Sequence, residues 1–384
     1  MEKNILVINI GSSSKKYSFY KDEGLLCSAH FERDKEKFEV TYDNEEAKNI
    51  SKNIFIDSLS SFYNTLKKKK VLKDEKALAV IGLRLVAPGV FFTEDRVIDK
   101  VFLKQLASVA KQDVAHIEPI QKEIQRIEEL FGGVKVVAVS DTAFHKTMPE
   151  MVKQYAIPKE IREEVGIEKF GYHGISLASI VDTLTKRPWG LERKAIICHL
   201  GSGASVTAVL EGKSIDTSMG YSPLEGLIMS SRVGSIDVGA VLRLVEKKTV
   251  KNLQEMLYTK CGLLSISNLS DDMRVLIDAE KEGHSGAHTA IETFAYTIRK
   301  HIGMYASVLG GVDVIVFSGT IGERSYILRD RICSGLGWLN VHLDNEKNIH
   351  AKSGDYIGKD GTLGVCVVHS DEDQEIMRRA SSLG

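Results

Sequence analysis

Two short glycine-serine turns carry the clearest chemical signal in this chain of 384 residues. Ile8-Asn9-Ile10-Gly11-Ser12-Ser13-Ser14 can be laid over Cys198-His199-Leu200-Gly201-Ser202-Gly203-Ala204, and in both a strand-like run ends in a polar residue, a Gly-Ser turn and a second strand-like run. A tight turn of this kind aims several backbone N–H groups and hydroxyls at one point, an arrangement that suits the oxygens of a phosphate. Either turn alone is also an ordinary hairpin loop, because Gly and Ser are common turn formers. Two facing turns would grip a polyphosphate. Two other nucleotide signatures are excluded. Gly212-Lys213-Ser214 lacks the upstream glycine of a Walker A loop, and Gly201-Ser202-Gly203 has Val206 where the dinucleotide fingerprint needs glycine.

Charged residues in apolar surroundings are the next candidates. Arg84 stands alone in Ala77-Leu78-Ala79-Val80-Ile81-Gly82-Leu83-Arg84-Leu85-Val86, where an unpaired buried cation would cost several kcal/mol, so it needs an anionic partner. That partner is either a structural carboxylate or an anionic ligand. Arg232 lies in a small-residue loop, Met229-Ser230-Ser231-Arg232-Val233-Gly234, and by itself reads as a solvated arginine. Asp141 follows the apolar run Val134–Val139, the place where open α/β folds put metal and phosphate chemistry, although a cap is an equal reading. His173 sits between Gly171 and Gly174, which let other backbone or a ligand come close. His284 and His288 have metal-like spacing but no evident third ligand, and read as surface residues. Ser318-Gly319-Thr320-Ile321-Gly322-Glu323-Arg324 breaks a buried run into a turn that can pack flat on a base or ribose. Ser270-Asp271-Asp272-Met273-Arg274 and Ser370-Asp371-Glu372-Asp373 read as helix starts with Ser as the cap and acids in the first turn.

These groups must be positioned by alternating elements. Ile5–Asn9, Ala77–Val86 and Val134–Val139 are expected as buried strands, and 101–131 and 148–165 as helical, which makes an α/β chain. Length exceeds what one core sustains, so two domains are expected, and the Gly-Ser echo predicts that they are duplicates with a cleft between them. Hydrophobic content of 43% with 27% charged residues is that of a globular protein, and 6 Pro leave little room for disordered linkers. The net charge of −1 excludes a globally basic nucleic-acid binder while allowing a local anion pocket. Five scattered cysteines without a CxxC pair read as reduced thiols, and no apolar run suits a signal peptide or membrane span, so a cytosolic protein is expected. Lys67–Lys70 follow an apolar helical pattern (Ile54, Leu59, Phe62, Leu66) and read as a solvated helix end.

Asn9 to Lys16, Asp141 to Pro149, Tyr172-His173-Gly174, His199 to Val206 and Asp216 to Arg232 together resemble the acetate and propionate kinase family. The longest stretches, Asp141-Thr142-Ala143-Phe144-His145-Lys146-Thr147-Met148-Pro149 and Asp216 to Leu227, are highly specific. The resemblance weakens between about residues 22 and 76 and across 100–132. It implies a duplicated ATPase fold of the actin, hexokinase and Hsp70 (ribonuclease H-like) type with an interdomain active-site cleft. The first domain would be residues 1–145 plus 373–384, and a nucleotide-binding and dimerisation domain would be 146–372. It further implies a cytoplasmic homodimer, Mg2+ or Mn2+, and ATP/ADP as co-substrate with a short carboxylate.

Residue by residue, Arg84 and Arg232 look like the arginines that hold the carboxylate and the transferring phosphoryl, His173 like the histidine on its equatorial oxygens, and Asp141 like the catalytic aspartate. Asn9 and Glu372 match the metal-positioning residues. Ser12, Ser14, Lys16, His199, Ser202 and Gly203 match the phosphate turns, and Asp272, Met273, Arg274, Gly319, Thr320, Ile321 and Arg324 the adenosine pocket. Val86, Ala115, Tyr172 and Pro223 match the acyl pocket. The chain departs from the family pattern at several points. Leu83 and Ala87 replace histidines, Pro88 replaces a glycine, Ser202 an asparagine, Ala115 a common leucine, Tyr172 a phenylalanine, Ser235 an aspartate and Lys15 an apolar residue. A smaller Ala115 would enlarge the pocket, while the Tyr172 hydroxyl would close it or demand a polar partner. The resemblance implies reversible transfer of the ATP γ-phosphate to acetate, with propionate, butyrate or another short acid as the alternative acceptor, ahead of a hydroxyl-directed kinase and of an ATP-binding homologue that has lost catalysis.

Overall fold

The structure is a computed structural model that describes residues 3–11, 14–34, 36–43, 45–110, 114–186 and 193–384, without the side chains of residues 34 and 114–116. The chain divides into two compact units, Met1–Ala143 with Asp371–Gly384, and Phe144–Ser370.

The first unit is built on an eight-stranded sheet in the order β5-β4-β3-β2-β1-β6-β8-β7. Its strands are β1 (Asn4–Ile10), β2 (Ser14–Lys21), β3 (Gly24–Asp34), β4 (Lys37–Tyr42), β5 (Lys48–Asn49), β6 (Leu78–Leu85), β7 (Arg96–Val97) and β8 (Val136–Ser140). β1, β2 and β3 run antiparallel, while β6 lies parallel to β1 and β8 parallel to β6. β1 is apolar without alternation because both faces are covered. Leu6, Ile8 and Ile10 pack with Ile117, Ile120 and Ile127 of the helix Val114–Phe131, and the C-terminal helix Glu372–Leu383 packs on β1, β6 and β8. Gly82 of β6 lets that C-terminal helix approach, since a Cβ there would lie 2.9 Å from both Ala380 Cβ and Ile376 Cγ2.

The second unit has a five-stranded sheet, β11-β10-β9-β12-β13, from β9 (Lys194–Leu200), β10 (Ala204–Leu210), β11 (Lys213–Thr217), β12 (Val314–Ser318) and β13 (Gly364–Val367). β9, β10 and β11 run antiparallel, and β12 and β13 add in parallel. The helix Ser285–Leu309 packs on β9 and β10, and Leu177, Ile180 and Leu184 of the helix Gly174–Thr185 pack with Ala195 and Ile197. The order β3-β2-β1-β6-β8 of the first sheet and β11-β10-β9-β12-β13 of the second are one pattern used twice. The duplicated α/β fold is therefore present, and the echoed turns are the corresponding hairpins β1–β2 and β9–β10. They differ by one residue. Ile10 pairs with Lys15 across four intervening residues, whereas Leu200 pairs with Ala204 across three.

Several local expectations change. The region 101–131 forms two helices, Lys100–Val109 and Val114–Phe131, and 148–165 forms two short ones, Glu150–Lys153 and Lys159–Val165. Pro158, extended at ψ 134°, stands at the start of the second, and a residue before a proline is held out of the helical region. Ile54 belongs to a separate short helix, Lys52–Ile56, ahead of Ser58–Lys68. The caps expected at Ser270 and Ser370 fall to Asp272 and Asp371, whose carboxylates accept from the N–H groups of Arg274 and Gln374. An aspartate one or two positions later competes successfully because it brings a full charge to the helix N-terminus. Among the described residues no helix is long and apolar enough to cross a membrane.

Candidate active site

In the first unit the functional side chains gather where β1, β6 and β8 end. Arg84 is opposite Val139 in the β6–β8 ladder, and Asp141 follows at once, its N–H donating to the Leu85 carbonyl at 2.9 Å. This register places Arg84 Nη2 3.3 Å from Asp141 Oδ2, with the arginine side chain 18% exposed and the aspartate 1%. The anionic partner required by the sequence is therefore Asp141. Burial alone would lower the guanidinium's proton affinity, but the charges of Asp141, Glu372 and Asp373 reverse that, and Arg84 is held above its ordinary value and permanently charged. Its Nε is buried without a hydrogen-bond partner among the described residues.

Asn9, the buried polar residue near the end of β1, meets the C-terminal helix. Its Nδ2 donates to Glu372 Oε2 at 2.9 Å and Asp373 Oδ1 at 3.1 Å, while Ser18 Oγ donates to Asp373 Oδ2 at 2.8 Å. Both amide hydrogens of Asn9 are engaged, so its Oδ1 is the atom left to face a ligand. Asp373 is the first-turn acid that the sequence predicts, and its contacts with Asn9 and Ser18 add a connection the sequence does not signal. Its carboxyl is pushed up, chiefly by burial, against the opposing pull of Lys16, Asn9 and Ser18. Arg379 fixes the helix that carries these acids, donating to Asp95 Oδ2 at 2.8 Å and the Ser140 carbonyl at 3.0 Å.

Magnesium prefers hard oxygen donors and commonly takes one or two carboxylates with substrate phosphates and water. Glu372 and Asp141, both close enough to act on Arg84, with Asn9 Oδ1, fit such an ion. Among the described residues no group of three or more His, Cys, Asp or Glu side chains is placed to hold a metal ion. His284 and His288 are exposed and otherwise engaged. His284 Nδ1 accepts from the Ala287 N–H at 3.0 Å, and His288 Nδ1 lies 2.7 Å from Glu280 Oε1.

The second unit holds its own cluster. His173 adopts a left-handed backbone (φ 60°) at the start of the helix Gly174–Thr185, a conformation between glycines that aims its ring at the β9–β10 turn. His173 Nδ1 lies 3.0 Å from Ser205 Oγ and its ring packs edge-on to His199 at 4.9 Å. A Cβ on Gly203 would lie 3.0 Å from His173 Nε2 and 3.7 Å from Arg232 Nη1, so the turn, the histidine and the arginine converge. Arg232 Nη1 donates to the Pro223 carbonyl at 3.3 Å, and Ser202 offers its carbonyl to the Ser230 N–H at 3.3 Å. Gly319 (φ 75°) ends β12 against β9, where a side chain would collide with the Leu200 carbonyl at 2.6 Å, and Thr320 N lies 4.0 Å from a Cβ placed on Gly201.

The remaining expected residues fall in varied settings. Tyr172 is buried and its hydroxyl donates to the Tyr221 carbonyl at 2.8 Å, so the polar partner it demanded is internal. Val86 and Pro223 are buried, Met273 is turned into the core, and Ile321 is half-buried. Thr320 and Arg324 are exposed. Asp272 and Arg274 pair with each other at 2.6 Å, the arginine almost fully exposed. Ser14 is half-buried and Lys16 exposed on β2, while Ser12 and the side chain of Ala115 lie outside the described residues. The sequence reading missed Ser205, a serine in an apolar strand whose signal was its place two residues beyond the turn.

Residues 4–378 match the family described as the Acetokinase family. A curated relative named acetate kinase from Sulfurovum sp. is 36% identical over 389 residues, covering 98% of this chain and 97% of that one. An acetate kinase from Methanosarcina thermophila is 36% identical, covering 99% and 96%. A solved propionate kinase from Francisella tularensis subsp. tularensis superposes with a TM-score of 0.89 at 30% identity, over 99% of each chain. With residues 4–378 matched by the family and relatives 36% identical over nearly all of its length, the chain belongs to the acetokinase family.

Proposed function

We propose that this protein transfers the γ-phosphate of ATP to a short carboxylate, acetate before propionate, giving an acyl phosphate and ADP in a reversible reaction. The observation that carries the reading is Arg84: a largely buried, charged guanidinium whose Nε has no hydrogen-bond partner among the described residues, paired with Asp141 and under the influence of Glu372. A neutral polyol gives such a cation nothing to neutralise. The names of the relatives, acetate and propionate kinases, support the same class.

A carboxylate is already ionised at neutral pH, so no base must take a proton from it; positioning and charge neutralisation supply the catalysis. In this reading Arg84 holds the acceptor carboxylate and Arg232 the phosphoryl in transfer. His173, oriented by Ser205, donates to an equatorial oxygen. Asp141 keeps Arg84 in place. Asn9, Glu372 and Asp141 hold Mg2+ or Mn2+, which when bound offsets the charge of the nucleotide phosphates. Ser12, Ser14, Lys16, His199, Ser202 and Gly203 receive those phosphates on backbone N–H groups and polar side chains, and Asp272, Met273, Arg274, Gly319, Thr320, Ile321 and Arg324 border the nucleoside. Val86, Ala115, Tyr172 and Pro223 line the acyl group; with the Tyr172 hydroxyl committed to Tyr221, that lining is apolar and favours a short alkyl chain. Residues 1–145 with 373–384 and 146–372 are the two domains of this reading. The same resemblance supports a cytoplasmic homodimer that needs neither nucleic acid nor membrane.

The test is ADP release from MgATP across acetate, propionate, butyrate and a set of polyols. Release driven by the acids supports the reading, and release driven by a polyol alone overturns it.

A further inference from the structure

Arg329 is 2% exposed in the second unit, yet among the described residues it forms no ion pair with a carboxylate. Its guanidinium is satisfied by carbonyl oxygens alone. Nη1 donates to Gly322 O at 2.9 Å and Glu323 O at 2.7 Å, Nε to Asn348 Oδ1 at 2.8 Å and Nη2 to Asn348 O at 2.6 Å. Gly322 and Glu323 stand at the end of the short helix Gly319–Arg324, where carbonyls have no partner within the helix and a cation is favoured. Asn348, in the helix Asn345–Ile349, is itself fixed by donating Nδ2 to the Tyr326 carbonyl at 3.0 Å. The other end of the turn is held too. The Gly319 N–H donates to Glu323 Oε1 at 3.0 Å, and Glu323 Oε2 lies 2.9 Å from His369 Nδ1.

A guanidinium buried with no counter-charge costs stability, and burial pushes its proton affinity down to about 10. A filler of apolar shape would occupy the space without that cost. What the arginine adds is geometry, because its rigid fork ties the carbonyls of Gly322 and Glu323 to Asn348, a segment well separated from them in sequence, fixing the backbone from which Thr320 and Arg324 reach solvent.

We propose that Arg329 is a positioning residue for nucleotide binding, clamping the Gly319–Arg324 turn to Asn348 so that the turn is preformed for the nucleoside of ADP or ATP. This rests on the reading of that turn as part of the nucleotide site. The test compares Arg329→Lys and Asn348→Ala with the wild-type protein by calorimetric titration of MgADP and by steady-state kinetics. A lysine keeps the charge but cannot span both segments. Arg329→Lys is expected to raise the ADP Kd and the ATP KM about tenfold, leaving kcat within about threefold and the KM for acetate unchanged. Asn348→Ala, which keeps the guanidinium and removes one anchor, shifts the same two constants by about threefold. Wild-type ADP affinity in folded Arg329→Lys overturns the proposal, as does a parallel rise in the KM for acetate. If Arg329→Lys does not fold, Asn348→Ala decides, and unchanged ADP affinity there overturns it. Failure of the wild-type protein to bind MgADP would instead overturn the underlying reading of the turn.

Discussion

Arg84 and Asp141 form an ion pair at 3.3 Å across the ends of two parallel strands, and the arginine's buried Nε–H has no partner among the described residues. Replacing Arg84 with alanine removes the cation proposed to hold the ionised acceptor in line with the phosphoryl group. Turnover is expected to fall about 10³-fold, comparable to loss of a strong preorganised donor. Asp141 and Glu372 also lose their counter-charge, so thermal stability drops in parallel, by about 3 kcal/mol where a buried pair is broken. Arg84→Lys keeps the charge and restores most of the stability but little of the rate, because one ammonium cannot imitate the fork. Steady-state kinetics and thermal unfolding on the two variants check this.

Gly82 offers a route to the proposed metal site that touches none of its proposed ligands. A Cβ there meets Ala380 and Ile376 at 2.9 Å, so Gly82→Ala must push on the helix that carries Glu372. It is expected to lose about 1–3 kcal/mol of stability, the usual range for overpacking. The Mg2+ concentration for half-maximal activity should rise more than the KM for acetate, which a magnesium titration of the variant measures.

Gly203→Ala tests the second cluster. The new methyl sits 3.0 Å from His173 Nε2 and must displace the ring or the turn. Turnover is expected to fall about 10²-fold, close to the effect of His173→Ala, and the two changes together should cost little more than either alone. A double-mutant cycle on kcat reads that coupling.

The hairpins, the β6 and β8 strands and the placement of Arg84 and Asp141 were legible because each depends on short-range patterning: unbroken apolar runs, glycine turns and a charge out of place. The contacts of Asp373 and Arg329 were not. Asp373 meets Asn9 across 364 positions, and Arg329 looks like any arginine on an exposed helix until Asn348 is folded against it. No periodicity encodes such meetings. The caps at Asp272 and Asp371 were missed for a different reason, because several neighbouring polar residues could cap and the full charge of an aspartate decided among them.

Lys15 is a departure from the family pattern with a measurable signature. It lies on β2, 14% exposed, with Nζ 3.4 Å from Glu123 Oε2 and 3.4 Å from the Ile56 carbonyl. Burial holds its ammonium below the ordinary lysine value despite the attraction of Glu123. The folded state thus binds this proton less tightly than the unfolded chain. Lys15 therefore weakens the fold at neutral pH, and stability is regained as pH rises through the lowered value toward 10.5. Lys15→Met leaves Glu123 with Tyr17 Oη at 2.7 Å and Arg126 Nη1 at 3.2 Å. The variant is expected to melt at an equal or higher temperature at pH 7 and to lose the alkaline rise, as thermal melts from pH 7 to 10 would reveal.

Everything proposed for Arg84 requires that the acceptor be a carboxylate. Incubating the protein with MgATP, acetate and hydroxylamine traps an acyl phosphate as its hydroxamate. Acetohydroxamate that requires ATP, the metal and Arg84 is the predicted result; ATP turnover with no hydroxamate from acetate, propionate or butyrate would contradict it.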